Sequence, residues 1–526
     1  MRHFLYFWRY GMNQTYSSYW DIDSDGNADR VSPYLFGRRE ILTGFDKITR
    51  ENLPMVLSEC IAVHNFNADQ IESLYRYYRG LQPILARKKP IRPEICNRIV
   101  ENHAAEIVSF TSAYFLGSPV AYVRRGDRED ASKGIAQLND YMYLNDMATL
   151  NMDLVSWLAI CGVGYKMVLP NSDAADMDGV APFHVDVPDP RMTFVVYSSG
   201  FGKKRMMAVR MVWKRNQDGD LKILYCGYTR THYFEVLDGS MIVKWQPHSL
   251  KDIPIYEYRL NMAMLGSFEP ALPLLDAINN IQSNRVDGLE AFVQAFLKFK
   301  NCDIDEKTIS DFRKLGAIVL KSAPGVDCDV DIMSQELNQE QTQVIVNYLY
   351  EQVLAICGMP TSTKGGTSTS DTGAAVWLRD GFFRCEQNAR TTEQLFKKSE
   401  REFLRLCLKI TNDTVGIDLT LPEVDFAFTR RQNDNLLSKT QALIQMMQAG
   451  LNPKVAIDTC GLFNDPADIA AQSADYLRKW EYVAMEPAVN EAPEVDTAPD
   501  IVDNPNSETE PNTRTRTQYP EDAVND

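Results

Sequence analysis

From Thr361 to Gly373 the chain carries no apolar side chain, yet long helical patterns stand on both sides of that stretch. Before it, Val344, Ile345, Tyr348, Leu349, Gln352, Val353 and Ile356 line one helical face, and Gly358 with Pro360 stops the helix. After it, Gly373 to Ile410 reads as one nearly uninterrupted helix. At 1.5 Å per residue it would run about 55 Å, with Gly381 as a place for a kink. A structureless loop of this length is uncommon inside a compact domain and tends to be functional. The bland alternative is an ordinary surface linker.

The rest of the chain falls into helical and strand-rich regions. Ile95, Ile99, Val100, Ala104, Ile107 and Val108 recur at helical spacing, with a stop near Gly117 and Pro119. "VAYVRR" reads as a strand, and residues 132–160 as a second helical region. Residues 182–260 are rich in Val, Tyr, Phe and Thr, and the Asp-Gly pairs of "NQDGD" and "LDGS" signal hairpins. An antiparallel sheet is expected there, with "LKILYCGYTR", "THYFEVL" and "MIVKWQP" as successive strands. A helix follows from Ser267, with Leu274, Leu275, Ile278, Ile281 and Gln282 on one stripe and Pro270 and Pro273 in its first turn. Residues 301–333 read as a mixed segment containing the strand "GAIVLKS" and the acidic run "DCDVD". The strand "VDFAFT" and two or three short helices close the ordered part.

Charge narrows the function. The formal net charge is −16, from 55 Lys and Arg against 71 Asp and Glu, so tight nonspecific DNA binding by the surface as a whole is disfavoured. Met485 to Asp526 holds eleven acids, two Arg and six Pro, and reads as a disordered, solvated tail rather than an interaction arm. Ten cysteines form no C-x-x-C pair, which leaves zinc and thioredoxin-type sites unsupported and fits buried free thiols in a reducing compartment. "MRHFLYFWRYG" has too short an apolar run for a signal peptide, and Leu154 to Tyr165 is too short to span a membrane. The expectation is a soluble protein made in the cytoplasm.

Two stretches imitate chemistry. Asp21, Asp23, Asp25 and Gly26 match a calcium loop, but Ser32 stands where a bidentate Glu is needed, so the stretch reads as an Asp/Gly turn. Thr363, Lys364 and Gly365 fail the spacing of a phosphate loop, which would also follow a strand rather than a helix. Six scattered His show no metal-ligand spacing, and there is no G-x-S-x-G motif or convincing triad. No catalytic residue, metal or cofactor is expected.

The order of elements resembles the portal proteins of tailed bacteriophages, in the branch typified by siphophages of Gram-positive hosts. The likeness covers roughly residues 70–480. "NRIVENHAAEIVSFTSAYFLGSPVAYV" is similar to the family's N-terminal helix, and "GVGYKMVLP" to its next strand. "GSFEPALPLLDAINNIQSNRVDGLEAF" is similar to its first stem helix, with an Asp-Ala-x-Asn core and a Ser-x-x-x-Asp pair. "SDTGAAVWLRD" resembles the start of its long helix, with Thr372 where Ser is usual, and "LIQMMQAGLNPKVAID" its crown helices.

The resemblance implies an α+β, mainly helical fold. It places a mixed wing at 1–266, a first stem helix at 267–298, a small clip at 299–333 and a second stem helix at 334–358. A tunnel loop follows at 359–373, then a long kinked spine helix and strand at 374–429, a crown at 430–484 and the tail at 485–526. It further implies a homo-oligomeric ring, normally of twelve subunits, at one capsid vertex, through which double-stranded DNA enters and leaves. The implied partners are the terminase large subunit, the major capsid or scaffold protein and a head-completion adaptor, with no membrane. The tunnel loop would touch DNA through Thr361, Ser362, Thr363, Lys364, Gly365, Gly366, Thr367 and Ser368. Hydroxyls give exchangeable phosphate contacts without sequence information, and the glycines keep the backbone mobile. An acidic conduit holds its cargo weakly. The rival readings are a DNA-processing enzyme of a packaging module and a calcium-stabilised adhesion or tail protein.

Overall fold

In the computed structural model, residue descriptions cover 37–90, 92–125, 131–172, 179–215, 220–293, 296–300, 329–333, 339–360, 382–428 and 436–463, with a few positions from 469 to 476. Residues up to Ser473 belong to one unit. The Asp21–Asp25 turn, the strand expected at "GAIVLKS", the start of the long helix before Phe382 and the acidic tail lie outside the described residues.

In chain order the elements begin with strand β1 (Ile41–Thr43) and helix α1 (Leu53–Tyr78). Helix α2 (His103–Leu116), strand β2 (Ala121–Arg124), helix α3 (Ala131–Leu144) and helix α4 (Met147–Cys161) follow. Strands β3 (Val163–Pro170), β4 (Phe183–Asp186), β5 (Thr193–Ser198), β6 (Arg205–Arg215), β7 (Leu221–Thr229), β8 (His232–Leu237), β9 (Met241–Pro247) and β10 (Ile255–Arg259) form the strand-rich middle. Helix α5 (Leu272–Val293), strands β11 (Phe296–Lys300) and β12 (Asp329–Met333), helix α6 (Gln339–Cys357) and helix α7 (Phe382–Thr414) come next. Strand β13 (Val424–Ala427) and helices α8 (Leu436–Gln448) and α9 (Pro453–Cys460) complete the set. The mixed α+β class expected from the sequence is the one found.

The expected antiparallel run is there, and β7 pairs with β8 and β8 with β9 in the expected order. It is split into two sheets. One has the order β1-β5-β6-β7-β8-β9, with β1 joined to β5 in parallel, and the other the order β10-β3-β4. Helix α1 has no counterpart among the expected elements. Pro54 opens it at the N-terminal position where a missing N–H does no harm, and Leu53, Val56, Leu57, Cys60, Ile71 and Leu74 bury its inner face. The turn from α4 to β3 depends on Gly162, whose φ of 78° closes the helix while its N–H donates to the Leu158 carbonyl at 2.8 Å.

Two boundaries differ from expectation. The helix read from Ile95 begins only at His103, because the residues before it are held extended against α5. The helix expected to run to Lys298 ends at Val293, and Phe296–Lys300 pairs antiparallel with Asp329–Met333 instead. From Leu297 the run "LKFK" alternates apolar and charged residues, and its register sets Lys298 opposite Asp331 and Lys300 opposite Asp329. That period-2 pattern was hidden behind the helical stripe preceding it.

Three apolar cores hold the unit together. One lies between α7, α3, α4 and the β10-β3-β4 sheet, a second between α1, α2, α4, α5 and α6, and a third between α1 and the six-stranded sheet. The cysteines among the described residues are free, and burial pushes the thiols of Cys60, Cys161 and Cys357 up to about 12. Such thiols pack as small apolar groups rather than react.

Candidate functional site

The predicted contact residues Thr361, Ser362, Thr363, Lys364, Gly365, Gly366, Thr367 and Ser368 lie outside the described residues. Their two anchors are described. Helix α6 ends at Gly358, whose φ is 69°, and the Met359 N–H returns to the Leu354 carbonyl at 2.9 Å. The first turn of α7 closes on this end. Arg384 Nη1 donates to the Ala355 carbonyl at 3.1 Å, and the Cys385 thiol to the Gly358 carbonyl at 3.0 Å. Orphan carbonyls at the C-terminus of α6 are thus met by a cation and a donor from the next helix. The end of α6 and the described start of α7 are therefore held in a single clamp.

Helices α5 and α6 pack side by side, with Leu275 and Ile278 in the same core as Val346, Val353 and Leu354. Arg285 of α5 ties them further, donating to Gln339 at 3.1 Å and Gln343 at 2.7 Å. Tyr350 pins α6 to α2 through a 2.6 Å bond to Glu106, with the His103 ring 4.5 Å from its own. The apolar stripe read from the sequence is divided. Val353 is buried, whereas Val344, Ile345, Tyr348 and Ile356 are exposed at 67, 52, 60 and 51%, a large apolar strip left uncovered by the described residues.

The other face of α5 explains the motif that carried the resemblance. Asn279, Ser283 and Asp287 are buried one helical turn apart, and each takes a backbone N–H from an extended strap. Asn97 N donates to Asp287 at 2.7 Å, Ile99 N to Ser283 at 3.0 Å and Glu101 N to Asn279 at 2.8 Å. Two extended residues advance about 6.6 Å and four helical residues about 6.0 Å, so strap and helix stay in step. Amides committed in this way cannot bond four residues back, which is why α2 starts at His103 and not at Ile95. Lys89 at 2.7 Å and Arg87 at 3.0 Å complete the shell of Asp287. Burial alone would raise its carboxyl, but these donors outweigh it and hold the group below the usual range. Asp276, on the same stripe, accepts from Tyr77 at 2.9 Å, yet burial pushes it up to about 6.

The long helix has its own polar seat. Lys166 of β3 and Glu400 of α7 are fully buried and pair at 2.8 Å, and Tyr122 and Tyr258 donate to Glu400 at 2.8 and 2.6 Å. The ammonium also lies about 5 Å from the rings of Tyr258, Phe396 and Phe403. Desolvation lowers the Lys166 pKa, opposed by Glu400. Near the N-terminus, Arg38 and Glu269 form a second buried pair at 2.6 Å. Sequence reasoning missed both pairs, because their members are far apart in the chain. The signal available for α5 was polar residues recurring on a stripe that the apolar pattern marks as inward.

Among the described residues no group of three or more His, Cys, Asp or Glu could hold a metal ion, and no helix is long and apolar enough to cross a membrane. The described residues thus hold two helices clamped at one end, a strap-bound helix pair and a long helix seated on the β10-β3-β4 sheet. The model of the phage portal protein family, SPP1 Gp6-like, matches residues 57–479. The chain belongs to this family of structural virion proteins, which implies an oligomeric ring at the portal vertex of the capsid with capsid and packaging partners. No curated protein matches the chain.

Proposed function

We infer that the chain forms a closed ring that is the conduit for double-stranded DNA, filled by the terminase, emptied at ejection and serving as the platform for head-completion and tail proteins. Helices α5 and α6 act as the stem, and residues 299–333 as the clip that meets first the terminase large subunit and then an adaptor. Residues 359–373 act as the tunnel loop, α7 as the spine helix of the wing, and residues 430–484 as the crown. The observation that carries this reading is the clamp. The described residues on either side of 361–381 meet at one point, where Arg384 and Cys385 grip the end of α6. A loop anchored in this way can extend from a rigid wall without unsettling the helices that bear it. The exposed strip of Val344, Ile345, Tyr348 and Ile356 supports the ring, because a closed head-to-tail assembly buries such a face on each neighbour.

Negative-stain imaging together with mass in solution tests this. A ring of about twelve subunits with an axial hole supports it. A compact dimer without a hole would refute it.

A further inference from the structure

A cleft of about 1320 Å³ lies between the β10 edge of the small sheet, the β5–β6 hairpin and the outer face of α7. Its wall holds ten Lys and Arg against five Asp and Glu, a surplus of five positive charges in a chain of net charge −16. Four of these cations are matched within the wall, as Arg205 is by Asp252 and Glu402. Lys47, Lys204, Arg230, Lys251, Lys398 and Lys409 form no ion pair among the described residues, and Met262 stands 87% exposed at the rim. Unpaired cations facing one cavity repel each other and raise its affinity for an anionic partner.

The α3–α4 corner has the opposite character. Asp140, Asp146 and Asp153 are exposed and likewise form no ion pair among the described residues, and Tyr143, Leu144 and Met152 stand exposed beside them at 85, 49 and 49%. Helix α4 has no Lys or Arg, and Lys133 is the only cation on α3. This corner is fixed to the far edge of the small sheet, where the Val185 N–H of β4 donates to Asn145 at 3.2 Å. The cleft adjoins β10, where Arg205 donates to the Ile253 and Ile255 carbonyls and Ser399 of α7 to the Glu257 carbonyl. With β3 between them, β10 and β4 are opposite edges of one sheet. One chain cannot bring its own corner into its own cleft, but a neighbour related by rotation can.

We propose that the basic cleft receives the acidic α3–α4 corner of the adjacent copy of this chain, a wing-level contact that sets the head-to-tail polarity of the ring. The proposal rests on the ring reading above and adds to it the surface that meets the neighbour. Opposite charge steers the encounter and disfavours the reversed arrangement of cleft against cleft.

The test uses the full chain in two charge-reversed forms. One carries Lys204→Glu and Arg230→Glu in the cleft, and the other Asp140→Lys and Asp153→Lys at the corner. All four side chains are exposed, so each form should fold, checked by an unchanged circular dichroism spectrum and thermal midpoint of the monomer. Each form alone should lose the ring species seen by imaging and by mass, and an equimolar mixture should regain it. In the mixture altered cleft can meet altered corner and native cleft native corner, so opposite charges face each other again. If the unaltered chain makes rings and both altered forms make them equally well, the cleft contact is overturned while the ring reading stands. The contact is equally overturned if the cleft variant keeps its rings but loses affinity for a short DNA duplex, which would mark the cleft as a nucleic-acid surface. If the unaltered chain forms no ring under any condition, the ring reading itself fails. Failure of the mixture to recover rings that both variants lost also overturns the proposed pairing.

Discussion

Replacing Lys166 with Met removes the cation from the seat of the long helix while roughly conserving its volume. Glu400 is then left fully buried with two tyrosine hydroxyl donors and no counter-charge. Deleting one member of a buried pair typically costs about 3–5 kcal/mol, because the remaining charge has been taken out of water without compensation. The two hydroxyls at 2.8 and 2.6 Å keep part of that solvation, which places the expectation at the lower end. About 3 kcal/mol corresponds to a fall in thermal midpoint of roughly 3 °C for a unit of this size, because the unfolding entropy grows with chain length. Adding Glu400→Gln removes the stranded charge, and its amide oxygen accepts from one tyrosine while its NH2 donates to the hydroxyl oxygen of the other, so the double variant should be more stable than Lys166→Met alone. The assay is urea and thermal unfolding at one fixed protein concentration, since assembly itself shifts the midpoint. A single variant within about 1 kcal/mol of the parent would refute the idea that this pair is fixed in a dry interior. A double variant as weak as the sum of the two singles would refute the coupling between them.

Asp287→Ala removes the acceptor for the Asn97 amide and for Lys89 and Arg87, so a loss of about 2–4 kcal/mol and faster amide exchange at Asn97, Ile99 and Glu101 are expected, read by denaturation and hydrogen exchange. His64, stacked on Phe194 and hydrogen-bonded to the Arg191 carbonyl, is pulled down to about 4 by burial, which the Arg191 bond only partly opposes. Because its folded pKa is below the unfolded one near 6.5, its contribution is complete above pH 6.5 and is lost as pH falls towards 4. The parent should therefore lose about 3 kcal/mol more than His64→Gln between pH 7 and 4, and parallel stability curves would contradict this. Replacing Thr361–Gly373 with a short tight linker should leave rings intact and block DNA packaging. Normal packaging by that variant would remove the tunnel role.

Elements with a local pattern were legible in the amino-acid order. Alternation and Asp-Gly turns placed β7, β8 and β9, and Gly358 with Pro360 placed the end of α6, because twist and left-handed backbone preferences act over a few residues. The polar stretch after α6 and the motif around Asn279, Ser283 and Asp287 also stood out, though nothing in the order of residues revealed what that motif grips. Three-dimensional packing settled the remainder. Ile95 to Asn102 has the period of a helix, but three of its amides find better acceptors on α5, and a period does not report which acceptor is near. Val344, Ile345 and Tyr348 have the pattern of a core, yet apolar spacing cannot distinguish a face buried in its own chain from one left for a neighbour. Lys166 and Glu400 are separated by 234 residues, and the cleft gathers its cations from distant parts of the chain. Charge acts through space rather than along the chain, so such pairings are fixed only when the sheets and the long helix have come together.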